Sequence, residues 1–142
     1  MASASCQRSA PPQLRADRAR PSDEPVPIEI EGGVRIAVPN DYWAISTWVL
    51  AEQEDWFEPE LAFLRGVVQP GWQILDVGAN HGVYAVSLAR CAGPQGRVIA
   101  IEPQAAVVER LRLSVAANGL GGIEVMRSAV ADAAGTLELF GG

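Results

Sequence analysis

Lysine is missing from this 142-residue chain, and all eleven basic residues are arginine. No Schiff-base lysine and no phosphate-loop lysine can therefore belong to its chemistry. Histidine occurs once, as His81, which excludes a multi-histidine metal centre. The two cysteines are equally sparse: Cys6 falls in an arginine-bearing leader and Cys91 at a predicted helix end. They indicate neither a disulfide framework nor a thiolate metal site, so no metal is expected. No apolar run reaches the roughly 18 residues of a membrane-spanning helix, and the leader lacks the apolar centre of a signal peptide. These absences predict a soluble, cytoplasmic protein with no membrane span.

Hydrophobic residues make up 49% of the chain, enough for one modest packed domain. Residues 1–25 do not share in that core. They are built of Ala, Ser, Pro, Gln and Arg, and read as a disordered leader that cannot offset its ordering entropy. Four arginines against Asp17 give the first twenty residues a net charge of +3, leaving −9 for the rest of a chain whose total is −6. The leader reads as solvated, with a transit-like or membrane-surface role as the alternative. The acidic body argues against a nucleic-acid partner.

Residues 26–70 form a lead-in. Ile28 to Glu31 and Val34 to Val38 alternate apolar and polar around Gly32-Gly33, which predicts a hairpin ended by Pro39-Asn40-Asp41. Tyr42 to Ala51 has no clear period and its structure is left open. An acidic patch follows, with Glu52, Glu54, Asp55, Glu58 and Glu60 around Trp56 and Phe57. Pro59 then opens a helix that carries Leu61, Leu64, Val67 and Val68 at helical spacing, and carboxylates at its start suit the helix dipole.

From residue 71 to 142 the pattern is α/β. Ile74 to Val77 reads as a short buried strand, Val83 to Arg90 as a helix and Val98 to Ile101 as a second apolar strand. Continuous apolar strands are expected of a parallel sheet covered on both faces. Ala105 to Asn118 reads as a helix with Val108, Leu111 and Val115 on one face, stopped by Gly119. Ile123 to Met126 makes a third strand, and Thr136 to Phe140 a fourth. This order predicts a Rossmann-like half domain. Its first strand would have one bare edge, so the expectation is a fragment, or a chain that relies on a partner.

Between the first strand and its helix lies Asp76-Val77-Gly78-Ala79-Asn80-His81-Gly82. A dinucleotide fold wants Gly-x-Gly-x-x-Gly, whose middle glycine lets a pyrophosphate approach closely. Here Asn80 takes the middle place and Val83 the one that follows Gly82. Asparagine tolerates a left-handed backbone, so the tight turn survives while the room for a pyrophosphate does not. Asp76 at the strand end would repel phosphate but attract an ammonium or sulfonium group. Glu102, at the end of the next strand, is placed to accept ribose hydroxyls. An acidic, glycine-walled crevice of this kind suits S-adenosylmethionine, with a nucleotide-dependent oxidoreductase as the alternative from another class.

Leu75 to Tyr84, followed by Val98-Ile-Ala-Ile-Glu-Pro103, resembles the FkbM family of S-adenosylmethionine-dependent methyltransferases. Glu109 to Leu120, Ser128 to Asp132, Gly135 to Leu139 and Glu54 to Glu60 are similar to further segments of that family. The resemblance spans roughly residues 28 to 140 and implies a class I methyltransferase fold, here its first βαβαβ half behind an N-terminal hairpin and helix. It implies that Asp76 faces the methionine amino group and that Gly78, Ala79, Asn80 and Gly82 form the wall beside methionine and ribose. Glu102 would hold the ribose diol, Pro103 and Gln104 would shape the adenine side, and Ser128 and Ala129 would lie along the adenine edge. Glu58 or Glu60 would close the pocket. His81 stands where the family varies and reads as a spacer; the four tryptophans read as core or lid packing. Methyl transfer to a hydroxyl of a sugar, lipid-linked glycan or polyketide-type acceptor is the implied reaction. The alternative is an inactive or partner-dependent donor-binding module. The sequence singles out no catalytic base.

Overall fold

The computed structural model describes residues 22–136, 138 and 139. Two strands, β1 (Ser22–Ile30) and β2 (Val34–Asn40), pair antiparallel, with Ile30 opposite Val34 and Ile28 opposite Ile36. A single 3-10 turn over Glu31–Gly33 joins them, and Gly32 and Gly33 hold φ of 79° and 70°, a region that costs glycine no Cβ clash. The alternation seen in the sequence places Ile28, Ile30, Val34, Ile36 and Val38 in the core. β1 begins earlier than the expected leader boundary: 22–25 belong to the strand, after a register irregularity between Ser22 and Val26. Prolines on an edge strand remove no ladder bond that the partner needs, which is why this proline-bearing stretch still pairs. The rest of the leader lies outside the described residues.

The stretch left open in the sequence forms a helix, α1 (Ile45–Gln53), closed by Glu54 at φ 56° with its N–H on the Leu50 carbonyl. After it comes α2 (Pro59–Val67), which has proline in its first turn as expected and buries Leu61. The acidic patch between them is partly structural. Asp55 accepts two hydrogen bonds from the Arg65 guanidinium, at 2.6 and 2.8 Å, and Arg65 also donates to the Ser87 hydroxyl at 3.2 Å. Burial raises the Asp55 carboxyl, but the hydrogen bonds and charge of Arg65 outweigh it, and the net direction is down.

The remaining elements alternate: β3 (Gln73–Val77), α3 (Val83–Ala92), β4 (Arg97–Ile101), α4 (Ala105–Asn118) and β5 (Ile123–Met126). The three strands are parallel in the order β3-β4-β5, the Rossmann-like arrangement expected. Both helices lie on one face, where Ala85, Ala89 and Leu111 pack against Val98, Ala100, Ile74, Ile123 and Val125. The hairpin, α1 and α2 form an outer layer over these helices, so Val83, Val86 and Leu88 of α3 are buried from its other side. Helix α3 is thereby enclosed between two layers.

The other face of the sheet is a correction to the sequence reading. Leu75 and Val77 are 62% and 54% exposed, with Ile99 and Met126 alongside, so among the described residues the sheet is covered on one face only. Strand apolarity reported that these side chains want cover, not that they have it. Of the expected fourth strand, Leu137 and Phe140 lie outside the described residues. Thr136, Glu138 and Leu139 adopt no regular structure, since no ladder pairs them.

Candidate functional site

The crevice at the carboxyl ends of β3 and β4 is shaped by three left-handed backbone positions, Gly78 (φ 83°), Asn80 (φ 49°) and Gly82 (φ 95°). Asn80 is the one non-glycine among them, and it keeps the tight turn as its short polar side chain predicts. A Cβ on Gly82 would stand 2.5 Å from Leu111 Cδ1, whereas one on Gly78 would meet nothing within 4 Å. Gly82 is therefore required by packing against α4, and Gly78 by its backbone angle and its open side.

Every amide of this loop with an assigned bond turns inward. The N–H groups of Gly78 and Ala79 both donate to the Ile101 carbonyl, at 2.8 and 2.9 Å, and that of Gly82 donates to Ala79 at 2.8 Å. Asn80 N–H donates to Glu102 Oε2 at 3.1 Å. Glu102 Oε1 accepts the Gln104 N–H at 2.9 Å, so this buried carboxylate links the glycine loop to the start of α4. Asp76 faces the first turn of α3. Burial pushes its carboxyl up while the Ala85 N–H pulls the other way, the net direction is up, and Oδ2 has no partner. A carboxylate already occupies the helix N-terminus where a phosphate would otherwise sit.

A cavity of about 200 Å³ opens here, between Asp76, Asn80, Glu58, Tyr84, Trp56 and Ser46, with Gly78, Ala79 and His81 also in its wall. Tyr84 Oη donates to Glu58 Oε2 at 2.6 Å, so the N-terminal side of the cavity is held shut between α2 and α3. The Tyr84 hydroxyl is pushed far above its ordinary range, first by burial, then by the Glu58 hydrogen bond and by the charges of Glu58, Glu60 and Asp76. It is a donor there and not a base. Of the two glutamates expected to close the pocket, Glu58 lines it. Glu60 stands exposed in the first turn of α2, outside the cavity wall.

Pro103, Ser128 and Ala129 are not brought to this cavity. They line a second one, of about 640 Å³, together with residues 130–136 and Leu139. Gln104 is exposed at the head of α4 and reaches the site through its backbone alone. His81 turns into the core. It is 5% exposed, its carbonyl accepts the Ser114 hydroxyl at 2.7 Å, and its ring is neutral, with burial and then the Arg110 charge lowering its pKa to about 4.

Sequence reasoning gave no role to Tyr84 and read Trp56 as packing only. Position offered a signal for the tyrosine: the second residue of a helix that follows a glycine turn looks back over that turn. The first cavity has no arginine in its wall, and its charged groups are carboxylates. Such a wall selects a cation or a ligand rich in hydrogen-bond donors and rejects phosphate.

Comparison with known proteins bears on the family and the fold. The family described as Protein-L-isoaspartate(D-aspartate) O-methyltransferase (PCMT) matches residues 56–135, more than half of the chain. Among solved structures, P. horikoshii TYW2 in complex with MeSAdo is similar at 18% identity and a TM-score of 0.54, over 76% of this chain and 37% of that one. Trm5b from Pyrococcus abyssi is similar at 19% identity and a TM-score of 0.52, over 69% of this chain and 26% of that one. A SAM dependent methyltransferase from Aquifex aeolicus is 33% identical over 51% of this chain and 38% of its own, at a TM-score of 0.44. This chain thus spans well under half the length of each. None of the curated proteins matches it.

Proposed function

We propose, from the premise that this chain belongs to the protein-L-isoaspartate(D-aspartate) O-methyltransferase family, that its crevice holds S-adenosylmethionine for methyl transfer to an oxygen acceptor. Residues 71–142 would be the donor-binding part of a class I methyltransferase. The observation that carries this reading is the loop itself. The amides of Gly78, Ala79, Asn80 and Gly82 are engaged with Ile101, Glu102 and Ala79, and Asp76 stands at the head of α3. Nothing comparable to a pyrophosphate cradle is left, which speaks against a nicotinamide or flavin dinucleotide and the oxidoreductase alternative. Carboxylates suit the donor's ammonium and sulfonium charges.

In this reading Asp76 meets the methionine ammonium, Gly78, Ala79, Asn80 and Gly82 wall the methionine and ribose, and Glu102 accepts the ribose hydroxyls. Carboxylate oxygens carry two lone-pair sites each, so Glu102 retains capacity beyond its two backbone bonds. For Pro103, Ser128 and Ala129 to flank adenine, the donor would have to extend from the first cavity into the second, which those three residues line, with Gln104 contributing its backbone. Bound there, S-adenosylmethionine would supply an electrophilic methyl group whose sulfonium becomes a thioether on transfer, and the proton of a hydroxyl acceptor would pass to solvent. Most of the rate enhancement then comes from holding the two reactants in line and dry. The motif resemblance to the FkbM family supports a hydroxyl on a sugar, glycan or polyketide-type molecule as acceptor. The acidic surface disfavours nucleic acid. The bare sheet face supports a second reading, a donor-binding module that works only with further polypeptide packed on β3.

Titration calorimetry with S-adenosylmethionine and with NAD tests the donor assignment. Heat with S-adenosylmethionine and none with NAD is expected; heat with NAD alone would overturn it.

A further inference from the structure

One corner of the first cavity forms where the link between α1 and α2 faces α3. Trp56 and Glu58, two residues apart on that link, both line the cavity, while Phe57 between them is 55% exposed outside it. Glu58 stands at the N-cap of α2, yet its side chain bonds none of that helix's free amides. Its Oε2 accepts the Tyr84 hydroxyl instead, at 2.6 Å, which fixes the carboxylate at the cavity rather than at the helix end. The negative charges of Glu58, Glu60 and Asp76 all reach that hydroxyl. Nothing positive in the wall answers them: it holds no arginine, and Arg110, whose charge acts on His81, does not line it.

The geometry points to Glu58 and Trp56 as the seat of the donor's sulfonium centre, with Tyr84 as the positioning residue that holds the Glu58 carboxylate there. The inference rests on the donor reading given above, in which Asp76 takes the ammonium. S-adenosylmethionine has a second cation, at sulfur, and Glu58 is the other carboxylate in the wall. A carboxylate and an indole are the groups that favour a weakly hydrated cation, the first by Coulomb attraction away from bulk water and the second by its ring quadrupole. Size agrees. About 200 Å³ is less than the roughly 300–1,000 Å³ of a pocket that encloses a whole small-molecule ligand, so this cavity takes the charged end of the donor. A consequence follows for turnover. Once the methyl group is gone the sulfur is neutral, and the attraction of Glu58 and Trp56 ends while the contacts to the rest of the molecule persist. The corner thus distinguishes the donor from its spent form and favours release of the latter.

The full chain is titrated by calorimetry with S-adenosylmethionine and with S-adenosylhomocysteine, which differ by one methyl group and the charge at sulfur. The readout is the ratio of the two affinities, because a merely structural defect weakens both alike. Glu58→Gln keeps an acceptor for Tyr84 and the size of the side chain while removing the charge. It should lower the ratio at least about tenfold, chiefly through weaker S-adenosylmethionine binding. Trp56→Leu removes the ring and Tyr84→Phe unties the carboxylate, and each should lower the ratio about threefold or more. Circular dichroism checks the fold of each variant. A ratio that moves less than about twofold in Glu58→Gln overturns the inference. An equal drop in Glu60→Gln, which lies outside the cavity wall, overturns it too, since the effect would then be one of general charge. Should Glu58→Gln fail to fold, Tyr84→Phe decides in its place, and an unmoved ratio there overturns the inference. A native chain that binds neither ligand overturns the donor reading and this inference together. Binding of both with an unmoved ratio overturns this inference alone.

Discussion

Ser114 of α4 donates its hydroxyl to the carbonyl of His81 at 2.7 Å, inside the core and 33 residues away in sequence. The same oxygen accepts the Ala37 N–H of β2 at 2.9 Å. One buried hydroxyl thus joins the N-terminal hairpin, the second Rossmann helix and the glycine loop. Asn118, one turn further along α4, brackets Arg35 in the same way, donating to its carbonyl at 2.6 Å and accepting its N–H at 3.0 Å. The hairpin is therefore an integral support of the crevice.

Ser114→Ala leaves the Ala37 N–H and the His81 carbonyl buried without partners. A loss of about 1–3 kcal/mol of stability is expected, the cost of unsatisfied buried groups. Because His81 sits in the loop, S-adenosylmethionine affinity should fall as well. Ser114→Thr keeps the hydroxyl and should retain affinity. Urea unfolding and calorimetry on both variants check this.

Glycines 78 and 82 separate packing from site. At Gly82 a methyl group meets both a φ of 95° and Leu111 Cδ1 at 2.5 Å. Gly82→Ala should cost about 2–4 kcal/mol from strain and overpacking together. At Gly78 only the φ of 83° opposes the methyl, and the space beyond is open. Gly78→Ala should cost about 1–2 kcal/mol in stability. If the donor fills that space, Gly78→Ala also loses donor affinity. Thermal unfolding paired with donor titration distinguishes the two.

Acid should destabilise the chain through His81. Its pKa falls from 6.5 unfolded to about 4 folded, because burial and then Arg110 disfavour the charged ring. Between those values the unfolded state binds the extra proton, so stability is complete above the unfolded pKa and declines as pH drops toward the folded one. From about pH 7 to about pH 5 the loss is about 2 kcal/mol. Asp76 acts in the opposite sense, its raised folded pKa favouring the protonated state as pH falls. Comparison with His81→Gln isolates the histidine: urea midpoints of the variant should show a correspondingly smaller drop over that interval.

Much of this arrangement is legible in the sequence. Helix α4 occupies the residues from Ala105 to Asn118 read from its apolar spacing, because Val108 and Leu111 are both buried and Gly119 ends the helix. Asp76 and Glu102 stand, as their place in the sequence predicts, at the carboxyl ends of adjacent parallel strands, Asp76 in the wall of the first cavity and Glu102 on the Asn80 amide behind it. Helix α1 was not legible because Trp43, Ile45 and Trp48 point outward, which erases the one-sided pattern. The Tyr84–Glu58 bond was hidden for a different reason. It spans 26 residues and depends on how α2 packs against α3, and no local pattern encodes that packing. The cover of the sheet was misread because apolar strands look the same whether or not a partner is present.

Asp76, in the wall of the first cavity, and Glu102, behind the glycine loop, make opposite demands on stability. Asp76 is half-buried with its Oδ2 enclosed and unpartnered, so Asp76→Asn should raise stability while lowering S-adenosylmethionine affinity by about 1–3 kcal/mol, a lost charge-assisted contact. Glu102 instead accepts the Asn80 and Gln104 amides on its two oxygens. In Glu102→Gln one of those amides would face an NH2 group, so stability and affinity should fall together. Unfolding midpoints and donor titrations on the two variants give four readings. Opposite signs for Asp76→Asn and a shared loss for Glu102→Gln fit a donor-facing carboxylate beside a loop-holding one. A stable Asp76→Asn chain with undiminished donor affinity would remove Asp76 from the site.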